Sequence, residues 1–137
     1  METVTVTETF DADADRLRDA ITDVGPFMRA AEFDDVTVDG DIVRITNHVG
    51  LATIELELAV VEDDTAVLAY EQRDGIFDEM ETRYTLSETA DGMELRATTD
   101  FAVQATLIGP ILDATVVSRQ RRRELRAQFD YLATLSE

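Results

Sequence analysis

Two-residue alternation of apolar and polar positions sets in at the start of the chain. Between Glu2 and Phe10, Val4, Val6 and Phe10 fall on one parity and four threonines on the other, the pattern of a strand with one dry face. The period then lengthens to that of a helix. Leu17, Ala20 and Ile21 recur at i, i+3 and i+4, behind an Asp11 or Asp13 that can cap the N-terminus. Asp23-Val24-Gly25-Pro26 breaks this helix, and Pro26 suits the first turn of a second short one, with Phe27, Met28 and Ala31 on its buried side. After Phe33 the alternation returns, punctuated by Asp39-Gly40, Asp63-Asp64, Asp74-Gly75 and Asp91-Gly92. The spacing predicts strands over 34–39, 41–49, 51–62, 65–74, 76–88 and 92–104, with Gly50 parting the second from the third. Connections this short join antiparallel neighbours.

The strand faces are clearly divided. Ile54, Leu56, Leu58 and Val60 point one way and Glu55 and Glu57 the other, and Leu95, Ala97, Thr99, Phe101 and Val103 oppose Glu94, Arg96, Thr98 and Asp100. A sheet with one charged face needs a cover on the other. The last segment supplies it. Gly109-Pro110 is a natural helix entry, and no Gly or Pro follows. Leu125, Phe129 and Leu132 form an apolar stripe, as do Ile108, Leu112 and Val116 further up. Extending the lower stripe backward by threes and fours lands on Arg121 or Arg122, then Ser118, so the sheet-facing positions turn small or cationic in the middle of the helix. The expected fold class is α+β: seven antiparallel strands, two short helices after the first strand, and one long C-terminal helix, in a single domain over 1–137.

Charge adds a constraint that patterning does not show. Asp and Glu total 30, Lys and Arg 12, and the net charge is −18; all the basic residues are arginine. Such a charge destabilises a compact chain by self-repulsion, and salt relieves it as the Debye length falls to about 3 Å at molar concentration. The acids are interleaved with apolar residues along the whole chain, which suits a folded protein working in concentrated salt, as in a halophilic archaeon, better than an acidic disordered tail. The same charge argues against nucleic acid or an anionic membrane as partner. No apolar run is long enough to span a membrane, and the N-terminus has no basic-then-apolar leader, so the expected location is the cytoplasm. Cysteine is absent, which excludes disulfides and thiolate chemistry.

Candidate chemistry is sparse. His48 is the only histidine, no metal-binding spacing surrounds it, and strand parity sends it outward with Arg44. No catalytic residue, metal or cofactor is assigned. Asp78 and Asp100 are a possible carboxylate pair near strand ends, but among 30 acids the solvated reading is preferred. Asn47, Tyr70, Gln72, Thr82, Tyr84 and Thr99 share the inward face. Either they are polar fixtures in a mainly apolar pocket, or they bond one another or water at the open end of the sheet. Five of the twelve arginines cluster at Arg119, Arg121, Arg122, Arg123 and Arg126. Either they snorkel outward to the acidic surface, or one guanidinium stands at a cavity rim to hold a carboxylate or phosphate.

The order of elements, with the opening TVTVTETF, the following FDADADRLRDAITDVGPF and the terminal LIGPILDATVV…LRAQFDYLATLSE, resembles the START-like superfamily, also called SRPBCC, Bet v 1-like or polyketide cyclase/dehydrase-like. Leu17 stands where those proteins commonly carry an aromatic residue. The resemblance implies a helix-grip fold, with a cavity between a curved sheet and the long helix. It also implies a small apolar partner, lipid-, polyketide- or isoprenoid-like, with the oligomeric state open. The function expected is binding or carriage of such a ligand; the alternatives are a cyclase, aromatase or dehydratase and a protein-interaction module. The expected ligand-binding set is Phe27, Met28, Asn47, Tyr70, Gln72, Met80, Thr82, Tyr84, Thr99, Phe101, Leu112, Val116 and Arg122.

The charge balance predicts that Tm rises on going from about 0.1 M to about 1 M KCl, by at least about 5 °C, equivalent to ~1 kcal/mol. Differential scanning calorimetry measures it; a flat or falling Tm contradicts the screening argument.

Overall fold

The structure is a computed structural model that describes residues 1–103 and 114–135. Its elements are β1 (Glu2–Phe10), α1 (Ala14–Thr22), α2 (Val24–Arg29), β2 (Asp35–Asp39), β3 (Ile42–Val49), β4 (Ala52–Val61), β5 (Leu68–Asp74), β6 (Phe77–Thr89), β7 (Gly92–Val103) and α3 (Ala114–Leu135). The strands form one antiparallel sheet in the order β1-β7-β6-β5-β4-β3-β2. This is the helix-grip arrangement, with α3 against the concave face. The expected strand boundaries agree with these to within three residues. The Gly109-Pro110 helix entry and the Ile108 and Leu112 anchors lie outside the described residues.

Local chemistry accounts for the punctuation. Asp13 caps α1, its carboxylate accepting from the Asp15 N–H at 3.2 Å. Gly40 and Gly50 both take φ of 62°, the left-handed conformation needed in their hairpin turns. Register shifts at Glu57/Leu58 against β5 and at Phe77/Glu79 against β7 insert extra residues, and bulges of this kind bend the strands.

The core follows the predicted parity. Val4, Val6, Val43, Ile45, Leu58, Leu95, Ala97 and Phe101 are buried from the sheet, Leu17, Ile21, Phe27 and Met28 from α1 and α2, and Val117, Leu125, Phe129 and Leu132 from α3. Phe129 meets Phe10 edge-on with ring centroids 6.1 Å apart, and Phe27 meets Tyr84 at 5.1 Å. These contacts tie α3 to β1 and α2 to β6.

Two of the candidate site residues serve the fold. Gln72 brackets the turn between β5 and β6: its Nε2 donates to the Phe77 carbonyl at 2.9 Å, and the Phe77 N–H donates to its Oε1 at 3.1 Å. Its amide is spent on that backbone. Arg122 lies on the exposed side of α3 and donates from Nη1 to the Thr5 carbonyl at 3.2 Å, covering part of the open edge of β1.

At Gly75, in the turn that Gln72 holds, φ is 156° and an added Cβ would collide with the Gln72 side chain and with Leu56. Gly75→Ala is therefore predicted to cost about 2–3 kcal/mol. Gly40→Ala, with open space around its Cβ, should cost only the ~1 kcal/mol of its left-handed backbone. Urea denaturation in high salt measures both, and equal costs would contradict the role given to the turn.

Candidate functional site

The buried stripe of α3 is not wholly apolar. Arg121, Glu124 and Gln128 are 6%, 4% and 1% exposed, on the same face as Val117, Leu125, Phe129 and Leu132. Successive spacings of three and four carry all of them toward the sheet. A charged pair placed this way needs partners, and the sheet provides them from positions whose parity points inward.

Arg121 Nη1 donates to Glu124 Oε1 at 2.6 Å, one helical turn away. Arg121 Nη2 lies 3.3 Å from both the Tyr70 hydroxyl on β5 and the Thr82 hydroxyl on β6. Glu124 Oε2 accepts from Asn47 Nδ2 on β3 at 3.0 Å and from Gln120 Nε2 at 3.1 Å. Thr82 shares a 2.8 Å hydrogen bond with Thr99 on β7. Nearby, the Tyr84 hydroxyl donates to Gln128 Oε1 at 2.6 Å, and Gln128 Nε2 donates to the Phe27 carbonyl at 3.2 Å. The network thus ties α3 to four strands and to α2.

Burial sets the protonation states. Burial, and then the Tyr70 phenol beside it, push the Tyr84 hydroxyl well above its ordinary 10.0, against the opposing pull of Arg121. Tyr84 therefore stays neutral and acts as a donor. For Arg121, burial opposes the charge, but the Tyr70 oxygen and the Glu124 carboxylate outweigh it and raise its pKa. The guanidinium remains a cation. One of its N–H groups, at Nε, is buried and has no hydrogen-bond partner among the described residues.

The network borders a cavity of about 30 Å³ between the sheet and α3. Its polar end is formed by Asn47, Tyr70, Gln120, Arg121 and Glu124, and its walls by apolar side chains that include Ile45, Ile54, Leu58, Met80 and Val117. Phe33, Leu56 and Gln120 among the lining are only half-buried, so they mark the side nearest solvent. A volume of this order holds one or two waters, well short of the ~300 Å³ at which ligand pockets begin.

Of the candidate site residues, Asn47, Tyr70 and Met80 line this cavity. Thr82, Tyr84, Thr99, Phe27, Met28 and Phe101 are buried in the packing around it, the hydroxyls bonded to one another or to Gln128. Asn47 and Tyr70 line the cavity while also bonding Glu124 and Arg121, and Thr82, Thr99 and Gln72 bond protein groups. Val116 is half-buried beside the core and Leu112 lies outside the described residues. Arg122 is corrected to Arg121: the helical phase turns residue 122 toward the β1 edge and residue 121 into the interior. The guanidinium at the cavity is therefore paired with a carboxylate and not free for one. Glu124 and Gln128 were not anticipated, although their spacing from Arg121 put them on the apolar stripe.

Other candidates lie away from the cavity. His48 is exposed, with Nδ1 3.1 Å from the Thr53 hydroxyl. Asp78 and Asp100 border an outer-face groove with Glu71, Glu79 and Glu81. Among the described residues no cluster of His, Cys, Asp and Glu could hold a metal ion, and no helix is long and apolar enough to cross a membrane.

Residues 1–137 match the family described as polyketide cyclase / dehydrase and lipid transport. Among solved structures, TTHA0849 from Thermus thermophilus superposes with a TM-score of 0.78 at 13% identity, over 99% of this chain and 100% of that one. A START superfamily protein from Mycobacterium smegmatis gives 0.73 at 14% identity, over 98% and 96%. The Zhui aromatase/cyclase from Streptomyces sp. R1128 gives 0.73 at 20% identity, over 96% and 93%. At these identities the likeness is one of fold. No curated protein sequence matches the chain.

Glu124→Ala, which strands the Arg121 cation, should destabilise the fold by about 3–5 kcal/mol, whereas the double change Arg121→Met/Glu124→Leu should recover most of that loss. Urea melts in molar KCl distinguish the two. A double variant no more stable than Glu124→Ala would show that the pair is not held as described.

Proposed function

Because the chain belongs to the polyketide cyclase/dehydrase and lipid transport family, we propose that it binds a small apolar molecule between the sheet and α3. The observation that carries this reading is the composition of the cavity: apolar walls with a compact polar cluster at one end. At about 30 Å³ the cavity does not hold such a ligand at rest. The extra volume comes from outward movement of the half-buried Phe33, Leu56 and Gln120, which cover the solvent side. The net charge of −18 suits this binding to concentrated salt, where surface repulsion is screened.

One feature favours a second reading, a cyclase- or aromatase-type activity. The Tyr70 hydroxyl and the Arg121 guanidinium stand 3.3 Å apart, and both residues line the cavity. A phenol beside a fixed cation can donate a proton to an enolate oxygen of a bound substrate. The activity depends on the binding, so binding is the claim to test first.

Protein purified in molar KCl should displace or take up an apolar fluorescent probe and release a bound small molecule on denaturation, detected by mass spectrometry. Val117→Phe, which puts a ring into the cavity wall, should weaken probe binding at least about tenfold. No binding, or binding indifferent to Val117→Phe, would count against the site.

A further inference from the structure

We propose that the ligand presents a neutral acceptor oxygen (a ketone, ester or ether) to Arg121 Nε, and that Glu124 makes the site reject carboxylates. This deepens the binding reading above and rests on it.

The charges come first. Arg121 and Glu124 are both nearly fully buried and lie 2.6 Å apart, so the polar end of the cavity carries a cation and an anion that cancel. A carboxylate entering there adds an uncompensated negative charge in a dry site and faces Glu124. Its lost hydration is not returned, because the one cation is already matched. A neutral oxygen meets neither penalty.

The hydrogen bonds agree. Arg121 Nη1 is used by Glu124 and Nη2 by Tyr70 and Thr82, while Nε has no partner among the described residues. A buried N–H left unpaired is costly, and Arg121 is part of the cavity lining. What is missing at that point is an acceptor. Glu124 offers no acceptor in return: its Oε2 already takes two hydrogen bonds, from Asn47 and Gln120, and Oε1 takes Arg121. The guanidinium therefore offers one free donor. A ketone satisfies it completely, and an alcohol satisfies it but must find a place for its own hydrogen.

The test is a displacement series of equal chain length: decanone, decanol, decanoate and decane against an apolar fluorescent probe, in molar KCl at neutral pH. The expected order is decanone, then decanol, with decanoate weaker than decanone by at least about tenfold. Glu124→Gln keeps the side-chain shape, removes the negative charge and frees the Arg121 cation, so decanoate should gain and overtake decanone. In Arg121→Met/Glu124→Leu, which removes both charges without stranding either, decanone should lose its advantage over decane.

Wild-type preference for decanoate overturns the proposal, as does a decanone advantage that survives the double change. So does an unchanged order in a folded Glu124→Gln. Where Glu124→Gln does not fold, the wild-type order and the double variant decide. Failure of all four compounds to displace the probe removes the binding reading as well, whereas binding with the wrong order removes only the proposal about the polar end.

Discussion

A guanidinium–carboxylate pair buried between a helix and a sheet is the constraint on which the rest of this structure turns. Removing both charges from water costs several kcal/mol, which the pair's own attraction offsets only when neighbouring groups complete the hydrogen bonding. Asn47, Gln120, Tyr70 and Thr82 supply those bonds here. They come from three different strands and from α3 itself, so the pair also fixes how the helix sits over the sheet. A shift of α3 by one residue would turn Arg121 and Glu124 off the sheet and break their contacts with Asn47, Tyr70 and Thr82.

Apolar packing does the complementary work. Leu125, Phe129 and Leu132 bury the lower part of α3, with Phe129 against Phe10, and Val117 anchors it above the pair. Between these anchors the helix presents polar groups, and polar groups that must satisfy one another cannot also close the gap as densely as Leu or Ile would. The cavity at this level is the geometric consequence. Its apolar walls belong to the alternating strands, and its polar end to the same residues that stabilise the pair. Stability and recognition therefore draw on one set of side chains.

Much of the fold was legible because two periods, two and 3.6, are written without ambiguity in this chain. Most strands have a polar parity and an apolar one, as Glu55 and Glu57 against Ile54, Leu56 and Leu58 show. The site was legible only in part. Parity placed Asn47 and Tyr70 on the correct face, but it could not tell a side chain that reaches a cavity from one, such as Thr82 or Gln72, whose bonds close on the protein. Helical phase between apolar residues admits both Arg121 and Arg122, because a 100° step leaves both near the stripe, and the expected set held Arg122 where the structure buries Arg121. Glu124 escaped notice because a carboxylate among 30 reads as surface; only its spacing from Arg121 and Leu125 marked it as buried. Partnering across 77 residues of sequence, as between Asn47 and Glu124, leaves no local trace.

The central claim is that Arg121 is held inside by Glu124 with its Nε–H unpaired at the cavity that the residue lines. A high-resolution crystal structure of the protein grown from concentrated KCl tests it most directly. The account predicts, in crystals soaked with decanone, the ketone oxygen about 2.9 Å from Arg121 Nε, with the Arg121–Glu124 pair intact beneath α3. An Arg121 side chain turned out to solvent, or an Nε packed against carbon with no oxygen near it, would contradict it.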